Sequence, residues 1–356
     1  MNRLDAPRAL FALLATIAVA LSSLTGARAE AVQPADGPTP APPWPAFVAE
    51  LSSGAHPEPG YRFYDELHAQ IAEVVELYPG RVRPFSLGAT VQGAPIWGFR
   101  CSDPMTPIQK TMLVFGAIHP LEWASSEVVT DALLACARRP PPGVLMVFVP
   151  VLNVDGRRTV ENDLMSGNDR YRRGNAAGVD LNRDFTSNRE SKAIWRHIIP
   201  SRYSTSPAPL SQPESRAIDA LAAAERFDVA MSFHAFGGYF YYPWAGRWER
   251  PKDRAEFVAL GHLMEEAQPG RPYRTQQLSH WAFFFRGCGM ELDHLYERYD
   301  TRAILIELTR SGVSPWRPWT WDQHFRLYNP VDPSPDAASG AAAVRAMAWH
   351  LAGAPG

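Results

Sequence analysis

The 356-residue sequence predicts one large α/β domain in which a mixed, mostly parallel central sheet is flanked by helices. Nearly continuous apolar runs at Thr111–Ile118, Val144–Val151, Val229–Phe233 and Ala303–Leu308 have the length and branched-residue content of strands buried on both faces. Segments with the apolar spacing of helices lie before, between and after them. Hydrophobic residues make up 46% of the chain and charged residues 20%, enough apolar material for a single extended core and too much for wholesale disorder.

The elements follow in order. Arg3 and Arg8 precede the apolar run Ala9–Leu21, and Ala27-Arg28-Ala29 offers small residues for a signal peptidase, so residues 1–29 are expected to direct export to a secreted or periplasmic location. The run is too short for a retained membrane anchor. Residues 30–60, rich in proline, alanine and glycine, read as a tether, because proline and glycine resist a continuous helix or ladder. The folded domain is expected over residues 61–352. Tyr61 to Leu77 suits an amphipathic helix stopped by Tyr78-Pro79-Gly80, and Val82–Leu87 and Pro95–Arg100 suit two strands around a turn region with Gly88 and Gly93. After Thr111–Ile118 and His119 a helix is expected from Glu122 to Ala137. Asn153-Val154-Asp155-Gly156, after the next apolar run, suits a turn. Further helices are expected at Pro213–Ala224, Arg254–Glu266 and Ala341–Leu351, with Ser187–Gln212 and Trp316–Ala338 as long surface connections.

Composition narrows the function classes. Lysine and arginine number 35 against 37 aspartate and glutamate residues, a net charge of −2 that gives no general reason to bind nucleic acid. Losing Arg3, Arg8, Arg28 and Asp5 with the leader moves that charge to −4. Cys101, Cys136 and Cys288 allow at most one disulfide, and their spacing lacks the close pairs of a cysteine zinc module. No phosphate-cradling glycine loop or Ser-His-Asp set is recognisable, and no feature specifies an oligomer.

The chemistry starts at His119-Pro120-Leu121-Glu122, where an imidazole and a carboxylate three positions apart reach one metal if the backbone turns there. His234 offers a third ligand. Two neutral histidines and a carboxylate leave zinc an open position for water or a carbonyl. Taken alone the pair is a weak signal, since polar residues at strand ends also cap helices or face solvent. Placement strengthens it: His119, Asn153, His234 and Glu307 all follow or finish predicted strands, and ligand sites in open α/β sheets lie beyond the carboxyl ends of strands. Glu307 also sits in an apolar run, where a carboxylate is costly unless paired or used. The bland alternative makes the histidines satisfied residues of the sheet edge and Glu307 half of a surface ion pair.

With these residues in view, the chain resembles the zinc carboxypeptidase family, the M14 metallopeptidases. The resemblance runs from Tyr61-Arg62-Phe63-Tyr64-Asp65 through His119-Pro120-Leu121-Glu122, Asn153-Val154-Asp155-Gly156 and Gly178-Val179-Asp180-Leu181-Asn182-Arg183-Asp184-Phe185 to Ile304-Leu305-Ile306-Glu307-Leu308. It implies a zinc carboxypeptidase-like fold with one zinc per chain held by His119, Glu122 and His234. It makes Glu307 the general base and proton shuttle for a zinc-activated water, Arg173 the candidate for stabilising the developing oxyanion, with Arg172 competing, and Asp180 the carboxylate that orients His119. Asn182 and Arg183 match the pair that receives a substrate's terminal carboxylate, which suits arginine's planar donors. Partners of the resemblance are peptide or protein C-termini.

The sequence also departs from the family pattern. Asp184 stands where asparagine is common, and Val154 takes the proline place of NPDG. Counting back from Glu307 without gaps puts Phe285 near the mobile capping tyrosine, with Tyr296 or Tyr299 as substitutes, and Leu292 near the specificity position. An uncharged pocket base favours uncharged terminal side chains, unless Glu291 or Asp293 points inward. The expected function is therefore an exported zinc carboxypeptidase. One alternative is a cell-wall peptide amidase or carboxypeptidase of the same fold; another is a catalytically impaired peptide- or carbohydrate-binding protein.

Overall fold

The computed structural model describes residues 56–190, 205–282, 285–310 and 322–354. The expected leader, and all but the last residues of the tether, lie outside these. Helix α1 (Tyr64–Leu77) opens the domain, its first turn closed where the Phe63 N–H donates to the Glu66 carboxylate at 2.7 Å. Strands β1 (Val82–Ala89) and β2 (Pro95–Cys101) pair antiparallel around the expected turn. Strand β3 (Lys110–Phe115), helix α2 (Trp123–Arg138) and strand β4 (Val144–Val149) follow, and then helix α3 (Val154–Met165). The Asn153–Gly156 segment is thus the start of a helix rather than a plain turn. Asn153 caps it by accepting the Gly156 N–H at 3.0 Å, and a Cβ on Gly156 would lie 2.6 Å from that side chain.

Helix α4 (Pro213–Glu225), with proline in its first turn, leads into β5 (Val229–Ala235) and β6 (Tyr239–Tyr242). Helix α5 (Arg254–Ala267), β7 (Arg274–Gln277), α6 (Glu291–Tyr299), β8 (Arg302–Leu308), α7 (His324–Tyr328) and α8 (Ser334–Leu351) complete the described chain. Much of the expected connection Trp316–Ala338 is therefore helical, and its first residues, like 191–204 of the earlier connection, fall outside the described residues.

The eight strands form one sheet in the order β1-β2-β4-β3-β5-β8-β6-β7. Its centre, β4-β3-β5-β8, is parallel, while β2 joins β4 and β6 joins β8 antiparallel. Every residue of β5 is buried, as expected of a strand covered on both faces. Helix α8 packs on α2 and α5, and α4 on α6. Gly340 of α8 makes the first of these contacts close, for a Cβ there would lie 2.7 Å from Val128 of α2 and 3.3 Å from Phe233 of β5. One disulfide, Cys101–Cys136, ties the end of β2 to α2, and Cys288 is free and buried. Among the described residues no helix is long and apolar enough to cross a membrane.

The Tyr61–Asp65 motif does structural work. Arg62 Nε donates to Glu127 of α2 at 2.7 Å and its Nη2 to Asp131 at 2.8 Å, so the segment before α1 is clamped to the helix whose first turn adjoins the site.

Candidate metal centre

The turn after β3 brings the first two ligands together. The Glu122 N–H donates to the His119 carbonyl at 3.1 Å, Ala117 takes a positive φ of 50°, and its N–H donates to Ser125 Oγ at 2.9 Å. Glu122 then stands at the amino end of α2, where the helix dipole favours a carboxylate. Asn329, just past α7, serves that helix end from far along the chain, accepting the Ala124 N–H at 3.1 Å and donating to the Leu121 carbonyl at 2.6 Å. His234 arrives on β5, adjacent to β3.

The ligand atoms of His119, Glu122 and His234 all lie within 4.8 Å of one another, and all three residues are buried. His119 Nδ1 is 2.7 Å from Glu122 Oε1, His234 Nδ1 is 3.1 Å from Glu122 Oε2, and the two Nδ1 atoms are 3.3 Å apart. Both Nε2 atoms point the other way: that of His119 meets Asp180 at 3.1 Å and that of His234 meets Glu291 at 3.0 Å. With each Nε2–H donated to a carboxylate, the inward nitrogens present lone pairs to one point, an arrangement that a cation relieves. The donor set, two imidazoles and a carboxylate, fits zinc.

These groups also set one another's charge, a proton on an inward nitrogen competing with a metal ion for the same lone pair. Burial opposes ionisation of Glu122, but His119 and His234 outweigh it and bring its carboxyl down to about 2. Burial likewise opposes a charge on His234, yet hydrogen bonds to Glu122 and Glu291 carry it up to about 10. Burial of Asp180 is overcome by Arg173 and His119, which hold it well below the usual range. Arg173 Nε donates to Asp180 at 2.6 Å while its Nη1 lies 3.9 Å from Glu122, so this arginine borders the metal centre. Arg172 instead pairs with Asp163 at 2.8 Å.

Glu307 stands directly beside His234 in the parallel β5–β8 register, so both side chains leave the sheet on one face. Burial and then the nearby Glu122 charge push its carboxyl up to about 8, against the opposing influence of His234 and Arg173. Gly237 keeps the backbone close to it: a Cβ there would lie 3.1 Å from the Glu307 Cβ. Asn153 links the loops of the site, donating from Nδ2 to the carbonyls of Ile118 at 3.2 Å and Gly174 at 3.3 Å.

Asn182 and Arg183 lie on a single 3-10 turn, Leu181–Arg183, capped by Asp180, and both are buried. Asn182 Oδ1 accepts the Glu291 N–H at 3.2 Å, and Arg183 donates to the Asn182 carbonyl at 2.6 Å. Phe285 is half-buried with its ring edge-on to Trp281. The phenols offered as its substitutes are engaged elsewhere, Tyr296 on Asp253 at 2.9 Å and Tyr299 on Asp219. Leu292 is buried in the main core. Asp293 does not point inward as a lone charge, since it accepts the N–H groups of Ala245 at 2.7 Å and Gly246 at 2.9 Å. The sequence offers Glu291 only as a specificity residue; its contact with His234 has no signal in the residue order.

A family model of zinc carboxypeptidases matches residues 67–317. Carboxypeptidase O of Bos taurus is 23% identical over 255 residues, which cover 65% of this chain and 65% of that protein. Mast cell carboxypeptidase A of Rattus norvegicus is 22% identical over 283 residues, covering 75% of this chain and 68% of its own. In fold, the crystal structure of thrombin-activatable fibrinolysis inhibitor matches with a TM-score of 0.67 at 20% identity, over 82% of this chain and 75% of that one. Carboxypeptidase A from Helicoverpa armigera matches with a TM-score of 0.64 at 19% identity, over 82% and 73%. The family model covers well over half of the 356 residues, from the first helix to beyond Glu307, and the chain belongs to the zinc carboxypeptidase family.

Proposed function

We propose that the chain is an exported carboxypeptidase that removes the terminal residue of peptides or proteins, with His119, Glu122 and His234 holding one zinc ion. The observation that carries this reading is the convergence of those three ligand atoms within 4.8 Å while Glu307 stands in register with His234. A zinc ion there would supply Lewis acidity to a water molecule and to the scissile carbonyl. Glu307, partly buried on the same face as His234, takes the proton of the attacking water and returns it to the leaving nitrogen. Arg173, fixed by Asp180, places guanidinium charge where the carbonyl oxygen becomes negative. Asn182 and Arg183 receive the substrate's free carboxylate, which restricts cleavage to the last bond. Phe285 closes over the bound residue by apolar contact. Leu292 brings no charge and Asp293 is engaged by two backbone N–H groups, but Glu291 faces Ser232 and His234 inside the site, so the preference for uncharged terminal residues holds only with that carboxylate kept on His234.

The test is product analysis. Zinc-loaded protein incubated with a mixed peptide library is expected to shorten peptides by single C-terminal residues, and Glu307→Gln to lose at least a hundredfold in rate on the scale of general acid–base catalysis while retaining its metal. Equal products from the variant would defeat the assigned base; cleavage confined to cell-wall peptides would defeat the substrate class.

A further inference from the structure

We infer that Glu291 positions His234 for the metal, doing for the second histidine what the family resemblance assigns to Asp180 for the first. The inference rests on the zinc reading of the site. Ser232 and His234 are two residues apart on β5 and so project from the same face of the strand. One oxygen of Glu291, Oε1, accepts from both, from Ser232 Oγ at 2.9 Å and from His234 Nε2 at 3.0 Å. The strand face and the helix α6 are thereby joined at a single atom, and Glu291 has no exposed surface. An acceptor on Nε2 holds the ring proton there and leaves the Nδ1 lone pair toward His119 and Glu122.

Two further features make this more than a buried contact. Glu291 is the first residue of α6, where the helix dipole favours an anionic side chain. Its own backbone N–H donates to Asn182 Oδ1 at 3.2 Å, so the same residue that orients a metal ligand also orients the asparagine of the proposed carboxylate-binding pair. Asn182 is left to offer its Nδ2 donors to substrate. A glutamine at 291 keeps the shape but loses the charge, and its amide nitrogen is able to donate to Nε2, which moves the ring proton to the atom the metal needs.

The experiment strips the full-length protein of metal and titrates zinc against a chromophoric chelator, for the parent, Glu291→Gln and Glu291→Ala. It records the absorption of the cobalt-substituted forms and the thermal midpoint of the metal-free forms. The expected result is a zinc dissociation constant raised about 10- to 100-fold, altered cobalt bands, and a metal-free midpoint for Glu291→Gln equal to that of the parent. Zinc affinity within twofold of the parent in Glu291→Gln, with unchanged cobalt bands, overturns the inference, as does an affinity loss matched by an equally destabilised metal-free protein. Should Glu291→Ala fail to fold, the near-isosteric glutamine variant decides alone. A parent chain that holds no zinc overturns the zinc reading itself, an outcome distinct from parent and variants binding zinc alike.

Discussion

At the scale of single residues, the site separates groups that name themselves from groups that depend on neighbours. His119 and Glu122 are three apart in the chain and follow an apolar strand, and Glu307 is a carboxylate inside an apolar run, so each was legible in the residue order. Glu291 was not, because its meaning comes from His234, 57 positions away. His68 shows the same dependence outside the site. It is buried in α1, its Nδ1 2.8 Å from the Tyr64 carbonyl, and burial lowers its pKa to about 4 from an ordinary 6.5. Between these values the unfolded chain takes a proton that the folded chain refuses, so this contribution to stability is present above pH 6.5 and is lost as the pH falls toward 4. The loss is on the order of 3 kcal/mol. His68→Asn, which keeps a donor for the carbonyl, is expected to flatten urea stability across that window; an unchanged pH slope would contradict the assignment.

At the scale of elements, strands and helices with apolar periodicity are legible in the sequence to within a few residues at most ends, and helices with polar inward faces are not. Helix α3 buries Arg157 and Glu161, joined at 2.9 Å, along with Val154 and Val160, so its inward face carries no apolar stripe to recognise. Helix α6 buries Glu291, Asp293 and His294 for the same reason: its polar residues face partners inside the fold. Helix α8 began seven residues earlier than expected, at Ser334 rather than Ala341, because small residues at its start are packed against neighbours instead of forming a strong apolar face. Gly340 is the tightest of these contacts. Gly340→Val is expected to lower unfolding stability by about 1–3 kcal/mol through overpacking against Val128 and Phe233. Denaturant unfolding gives the answer, and a variant as stable as the parent would mean the α2–α8 contact yields easily.

At the scale of the whole molecule, the parallel centre of the sheet gathers His119, His234 and Glu307 at the carboxyl ends of β3, β5 and β8 although they lie far apart in the chain. The Cys101–Cys136 bond braces this arrangement by fixing β2 to the helix that begins beside Glu122, and it suits the oxidising compartment that the proposed export implies. Its separation of 35 residues gives an expected contribution of roughly 3–4 kcal/mol from the lost freedom of the unfolded chain. Thermal scans with and without reductant, alongside Cys101→Ser/Cys136→Ser, should show a midpoint lower by several degrees; coincident midpoints would remove the bond from the account of stability. The residue order alone predicted the α/β class and the candidate ligands His119, Glu122 and His234, because apolar runs of strand length and the residues that end them are local properties of the chain, and the family resemblance added the base role proposed for Glu307. Which cysteines pair, that Arg173 rather than Arg172 borders the metal centre, and that Glu291 rather than solvent meets His234 were decided only by tertiary structure, because each depends on which distant segments the sheet order makes neighbours.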